Sequence, residues 1–261
     1  ATDARCPQAS MAGPTASEDL PLKNAVQKTF GGGGWGDTYV ALLDPSKTGA
    51  QQLLFSTYLG GAENDVPGGI VPSGKNYVYV VGITGSSDFP TTAVSPAFGG
   101  VSDGFLAKID VTPPTKLVYS RFVGGSEKDG LRDVAVDAQD NALVAGATAS
   151  ADFPTVVPLQ ATFKGGVALS NDSWMTKFWG GVDALIAKFN PKGTMVFGTY
   201  WGGTGADGAV SIQVGGNGKV YVAGDTRSRN LRLVRAGQKK NAGQYDAFIL
   251  AIGKRASTRR G

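Results

Sequence analysis

Histidine is absent from the 261 residues of this chain, and cysteine occurs once. Without an imidazole there is no group of the usual kind to act as general base, to ligate a transition metal or to activate a serine or cysteine nucleophile. Hydrolase triads and histidine-based metal or haem sites are thereby excluded. Cys6 has no partner within the chain and is read as a free thiol or as half of an intermolecular disulfide. Long apolar runs are also lacking. The strongest, YVYVVGI from Tyr77 to Ile83, is strand-sized and far short of the roughly 18–20 residues of a membrane-spanning helix, so no transmembrane segment is expected. Helical periodicity is missing over any useful length. The start at Ala1 leaves signal-peptide removal, propeptide cleavage and a trimmed sequence all open.

Glycine is abundant, with 39 residues, and an apolar content of 41% is ample for a core. The glycines fall within an internal repeat. The polar turn TASADFPT, Thr148 to Thr155, recurs as TGSSDFPT from Thr84 and in worn form as TASEDLPL from Thr15 and TRSRNLRL from Thr226, at spacings of 69, 64 and 78 residues. After it comes an aromatic-Gly-Gly element, FGGGG at Phe30, FGG at Phe98 and WGG at Trp179. An aspartate then opens an alternating run: DTYVALLD at Asp37, DGFLAKID at Asp103, DALIAKFN at Asp183 and DAFILAIG at Asp246. The next segment has only three copies, LLFSTYLGG from Leu53, LVYSRFVGG from Leu117 and MVFGTYWGG from Met195. A short turn with Asp65, Asp129 or Asp207 follows, then a weaker apolar stretch, then NYVYVVGIT, NALVAGATA or GKVYVAGDT.

Each unit therefore contains four candidate strands with period-2 alternation, bounded by glycine, asparagine and aspartate turns. The paired glycines Gly60-Gly61, Gly124-Gly125 and Gly202-Gly203 are expected to end strands through positive φ. Asp88 and Asp152 are expected to accept bonds from nearby amides, with Phe89 and Phe153 plugging the turn. The polar turn itself is read as the link between units. That reading divides the chain into an extension (1–14), a repeat domain (15–252, with units 15–83, 84–147, 148–225 and 226–252) and a basic tail (253–261).

Four short antiparallel strands per unit are too many for one coil of a β-solenoid and suit one propeller blade. The predicted fold class is all-β, a β-propeller of four-stranded antiparallel blades. The count is thirteen strands, whereas closure needs about four blades of four. An incomplete or partner-completed ring is expected: a piece of a larger propeller, a ring completed by another chain, or an open arc capped by a partner. Other protein subunits in a homo- or hetero-oligomer are favoured alongside the fragment reading.

The motifs FSTYLGG, YSRFVGG, FGTYWGG, DGFLAKID, DALIAKFN, SSDFPTT and NYVYVVG, in fixed order from Thr15 to Ile252, resemble the bacterial β-propeller repeat known as SBBP. The resemblance implies a bladed propeller on an exported protein (secreted, periplasmic or cell-surface), with no general catalytic residues.

Departures from the repeat supply the candidate sites. The third turn is lengthened by LQATFKGGVALSNDSWMTKF, which brings Trp174, Met175, Phe178 and Trp179 as candidate partner-binding aromatics. From Asp225 to Gly261 ten basic residues face two acidic ones; Arg227, Arg229, Arg232, Arg235, Lys239 and Lys240 are candidates for an anionic partner such as an acidic glycan. No nucleic-acid motif accompanies them. Asp37, Asp103, Asp183 and Asp246 recur once per unit, as turn caps or, more weakly, as calcium ligands. FGGGGWG lacks the Lys-Ser/Thr of a P-loop and is read as a loop. No catalytic residue and no required cofactor emerges. The functional expectation is a non-catalytic extracellular or surface scaffold, a structural or accessory subunit. A carbohydrate-binding lectin or a polysaccharide-acting propeller enzyme using Asp or Glu is the alternative.

Overall fold

A computed structural model describes residues 8–165 and 182–253. The chain is all-β: four antiparallel sheets, each a simple up-and-down run of consecutive strands. The first sheet holds β1 (Ala9–Thr15), β2 (Asp37–Leu43) and β3 (Leu53–Leu59). The second holds β4 (Asp65–Ser73), β5 (Tyr77–Thr84), β6 (Asp103–Asp110) and β7 (Lys116–Val123). The third holds β8 (Asp129–Val136), β9 (Ala142–Thr148), β10 (Asp183–Phe189) and β11 (Met195–Trp201), and the fourth β12 (Asp207–Val214), β13 (Val220–Thr226) and β14 (Asp246–Ile252). A 3-10 turn, Gly49–Gln52, leads into β3.

Two features differ from the sequence reading. Residues 9–14, assigned there to an extension, belong to a strand, Ala9–Thr15, that pairs along its length with β2. Its apolar pattern is interrupted by Ser10 and Pro14, which hid it. The sheets are also out of phase with the sequence units. The polar turns starting at Thr84 and Thr148 lie inside a sheet, between its second and third strands. The chain instead passes between sheets at the glycine pairs, Gly60 to Asn64, Gly124 to Lys128 and Gly202 to Ala206. Aligned by these landmarks, the second and third sheets have four strand positions. The first sheet has positions two to four, and the fourth has positions one to three.

Because strand side chains alternate between faces, a sheet with a neighbour on both sides must be apolar on both. In β10, Ala184 and Ile186 enter the core shared with the fourth sheet, while Leu185, Ala187 and Phe189 enter the core shared with the second. A third core, built around Val40, Phe55, Val80 and Phe105, joins the first and second sheets. Each fully buried large apolar side chain contributes about 1.5–3 kcal/mol. First-position strands carry a bulge at the same place, between Pro67 and Gly69, Leu131 and Asp133, and Ala209 and Ser211. A bulge increases local twist. β4 and β5 pack on β8, and β8 and β9 on β12, so successive sheets meet through these bulged strands.

Candidate functional site

The polar turn works as a latch on the crossing between sheets. In the second sheet Thr84 Oγ1 accepts the amide of Ser86, which shapes the turn. Ser86 Oγ donates to Asp65 at 2.9 Å and accepts the amide of Glu63, while Asp88 Oδ1 accepts the amide of Ala62. Thr148, Ser150 and Asp152 repeat these bonds on Asp129, Glu127 and Ser126. Thr226, Ser228 and Asn230 repeat them on Asp207, Gly205 and Thr204. Asp88 and Asp152 thus accept amides as expected, but from the preceding crossing rather than their own turn. Phe89 and Phe153 are buried plugs, against Phe105 and Tyr200.

At each crossing two aspartates meet. Asp37 and Asp65, Asp103 and Asp129, and Asp183 and Asp207 flank Gly60, Gly124 and Gly202, and all six are sealed from solvent. A Cβ on Gly60 would lie 2.5 Å from Asp37 Cγ and 2.8 Å from Asp65 Oδ2. None of the six paired glycines has positive φ, contrary to the sequence reading. Glycine is required at Gly60, Gly124 and Gly202 because two carboxylates occupy the space of a side chain. The opening aspartate caps the preceding loop: Asp37 accepts the amide of Gly31, Asp103 that of Gly99, Asp183 that of Lys164 and Asp246 that of Ala242. These bonds assign the aromatic element anew. Its third copy is Phe163-Lys164, with Phe163 edge-on to Tyr200 as Phe30 is to Tyr58, so the inserted residues follow it.

Burial drives the carboxyl pKa values upward, to about 6 at Asp65 and about 7 at Asp103 and Asp183, with the facing aspartate adding to the rise. Asp37, Asp129 and Asp207 are raised for the same first reason. Among the described residues Oδ1 of Asp37, Asp65, Asp103, Asp129 and Asp183 has no hydrogen-bond partner. Two buried like charges suppress each other's ionisation, so a protonated carboxyl in each pair suits this burial. Calcium seeks six to eight oxygens, and among the described residues no cluster of three or more ligating side chains occurs. Asp37, Asp103, Asp183 and Asp246 are distributed one per sheet and do not converge on one ion.

The basic candidates share one loop. Arg227, Arg229, Arg232, Arg235, Lys239 and Lys240 all lie between β13 and β14, with Arg227 stacked 4.1 Å over Tyr245. Most of this loop is exposed, beside an open face of the fourth sheet. Ile249 is 80% exposed, whereas Val40, Leu106 and Ile186, its counterparts in β2, β6 and β10, are 2% or less. Tyr221, Ala223, Ala247 and Ala251 share that open side of the fourth sheet. Trp174, Met175, Phe178 and Trp179, together with Cys6 and the tail beyond Gly253, lie outside the described residues.

Sequence reasoning missed a glutamine. Gln27 and Gln160 each donate to an opening aspartate, Asp37 or Asp183, and accept the amide of the glycine ending the fourth-position strand, Gly60 or Gly202. Gln238 stands at the same place, donating to Asp246 at 2.8 Å. The structure shows the equivalence: Gln27, Gln160 and Gln238 all fall three residues after a non-glycine residue of positive φ, Asn24, Val157 and Arg235.

No protein-family model matches the chain, and no curated protein matches it at a significant level. Among the described residues no helix is long and apolar enough to cross a membrane.

Proposed function

We propose that this chain is a β-propeller-type scaffold of the SBBP kind that acts by binding, as a structural or accessory subunit of an exported or surface-associated assembly. The observation that carries this reading is Ile249: the residue that is covered by the next sheet in β2, β6 and β10 is open in β14. A further sheet or subunit would cover it in the same way. Sheets stacked in sequence order through bulged first-position strands are what blades of a propeller would present, and a rim of six basic residues would favour an acidic partner. The alternative of polysaccharide chemistry by paired carboxylates has little support. All three aspartate pairs are sealed from solvent and held in structural bonds.

The test is the mass of the native particle isolated from its own cells, by light scattering, with denaturing mass spectrometry of its components. The expected result is a particle heavier than one 26.8 kDa chain. A monodisperse single chain would overturn the assembly reading.

A further inference from the structure

Building on the assembly reading, we propose that the free edge of β14 and the 227–245 loop form a preformed slot for a single β-strand donated by another polypeptide. The donated strand has the pattern aromatic-small-Thr-Tyr-apolar-Gly-Gly and carries acidic residues beyond the glycines.

The slot is identified by comparison with the places where such a strand is already seated. In the first sheet β3 lies between β2 and the preceding loop: Lys23 bridges Ser56 through the backbone, Thr57 Oγ1 accepts the amide of Gln27, and Gly60 donates to Gln27 Oε1. In the third sheet β11 lies between β10 and its loop by the same contacts, Val156 to Gly198, Gln160 to Thr199 Oγ1, and Gly202 to Gln160 Oε1.

The fourth sheet has the receiving half of this arrangement. Gln238 Nε2 donates to Asp246 and to the carbonyl of Lys240, as Gln160 Nε2 donates to Asp183 and to the carbonyl of Thr162. Arg235 has φ of 51°, matching 54° at Asn24 and 48° at Val157. That backbone is strained for a residue with a side chain and persists where surroundings impose it. The donating half is not in place: among the described residues β14 pairs with β13 alone. Between β14 and the loop lies a cavity of about 670 Å³, lined by residues 246–251 and by Val234 and Gln238. By the register of the β2–β3 and β10–β11 pairs, Phe248 would face the tyrosine of the incoming strand and Ile249 its threonine.

The occupant's chemistry follows. An edge strand offers alternate main-chain groups to an added strand, and side-chain pockets select its sequence. Six basic residues and no acidic one lie between Arg227 and Tyr245, so acidic flanks complement the rim. β3 has this character, followed by Glu63 and Asp65. Among the described residues a second copy of this chain has no spare strand of the type, because its β3, β7 and β11 are already paired.

The test uses the full chain and a fluorescein-labelled peptide with the sequence of residues 53–65, LLFSTYLGGAEND, read by anisotropy. Saturable one-to-one binding is expected. Gln238→Ala should weaken it about fivefold or more, the equivalent of one lost hydrogen bond. Gln160→Ala, whose slot is filled, should not. Equal binding of a scrambled peptide, or indifference to Gln238→Ala, would overturn the proposal. So would hydrogen exchange showing β14 amides as protected as those of β10 before peptide is added, since the chain's own residues would then fill the slot. A native particle of one chain that still captures the peptide rejects the assembly reading and keeps the slot. A heavy particle that ignores the peptide does the reverse.

Discussion

The third and fourth sheets are written in nearly the same code, yet they end in different physical states. DALIAKF of β10 and DAFILAI of β14 share the opening aspartate, the alternation and the loop cap. Among the described residues β10 is buried on both faces and paired on both edges, whereas β14 has one covered face and one paired edge. The difference lies in what stands beside them. An apolar strand pattern makes a sheet, but burial of its second face depends on a neighbour.

The sharpest way to break this comparison is to truncate the same residue in both strands. Ile186→Ala should cost about 2–5 kcal/mol, as buried large-to-small changes do, and Ile249→Ala no more than about 0.5 kcal/mol in the isolated chain. Urea unfolding measures both. An equal cost would mean that a partner already covers β14.

Acidity offers a second contrast, because the paired aspartates sit only at the crossings between sheets. Their folded pKa values are raised, so between about pH 4 and 7 the folded state binds more protons than the unfolded one, and stability falls as pH rises through that window. The melting temperature should therefore drop from pH 4 to 7, and Asp183→Asn should flatten the slope. A melting temperature that rises over this range would reject the raised pKa values of the pairs. Asp137 and Asp140, hydrogen-bonded to Lys188 and Lys108, are shifted the other way and favour stability above the acid range.

The smallest effect sharpens the slot. Gln160→Ala should cost roughly 1 kcal/mol through its lost bonds to Asp183 and Gly202, while Gln238→Ala should be close to neutral without a donated strand. Parallel denaturation of the two variants reads the difference.

Much of the fold was legible because repetition multiplies a weak local signal. Thirteen of the fourteen strands fall on runs whose alternation and bounding turns recur in register. The one missed, β1, carries Ser10 and Pro14 where its counterpart β5 carries Tyr79 and Ile83. The assignment of the polar turn to the link between units failed for another reason. The turn and the crossing it latches recur with the same period, so spacing does not tell which joins two sheets. The candidate site was half legible: the basic loop was visible as charge, whereas the glutamine that aims it at an edge strand is an ordinary polar residue until Asp246 is seen beside it. The aspartates were correctly singled out as caps, but their pairing across Gly60, Gly124 and Gly202 joins residues about 20–30 apart in a chain of ~3.3 Å per extended residue.

By itself the sequence determined the strands, their alternation and the all-β class, because these depend on side-chain period and turn chemistry within a few residues. The absence of histidine likewise determined which chemistries were closed. Only the tertiary structure decided where one sheet ends and the next begins, which carboxylates share a buried site, and which sheet is left open. Those outcomes depend on long-range packing, and packing is set by neighbours rather than by local pattern.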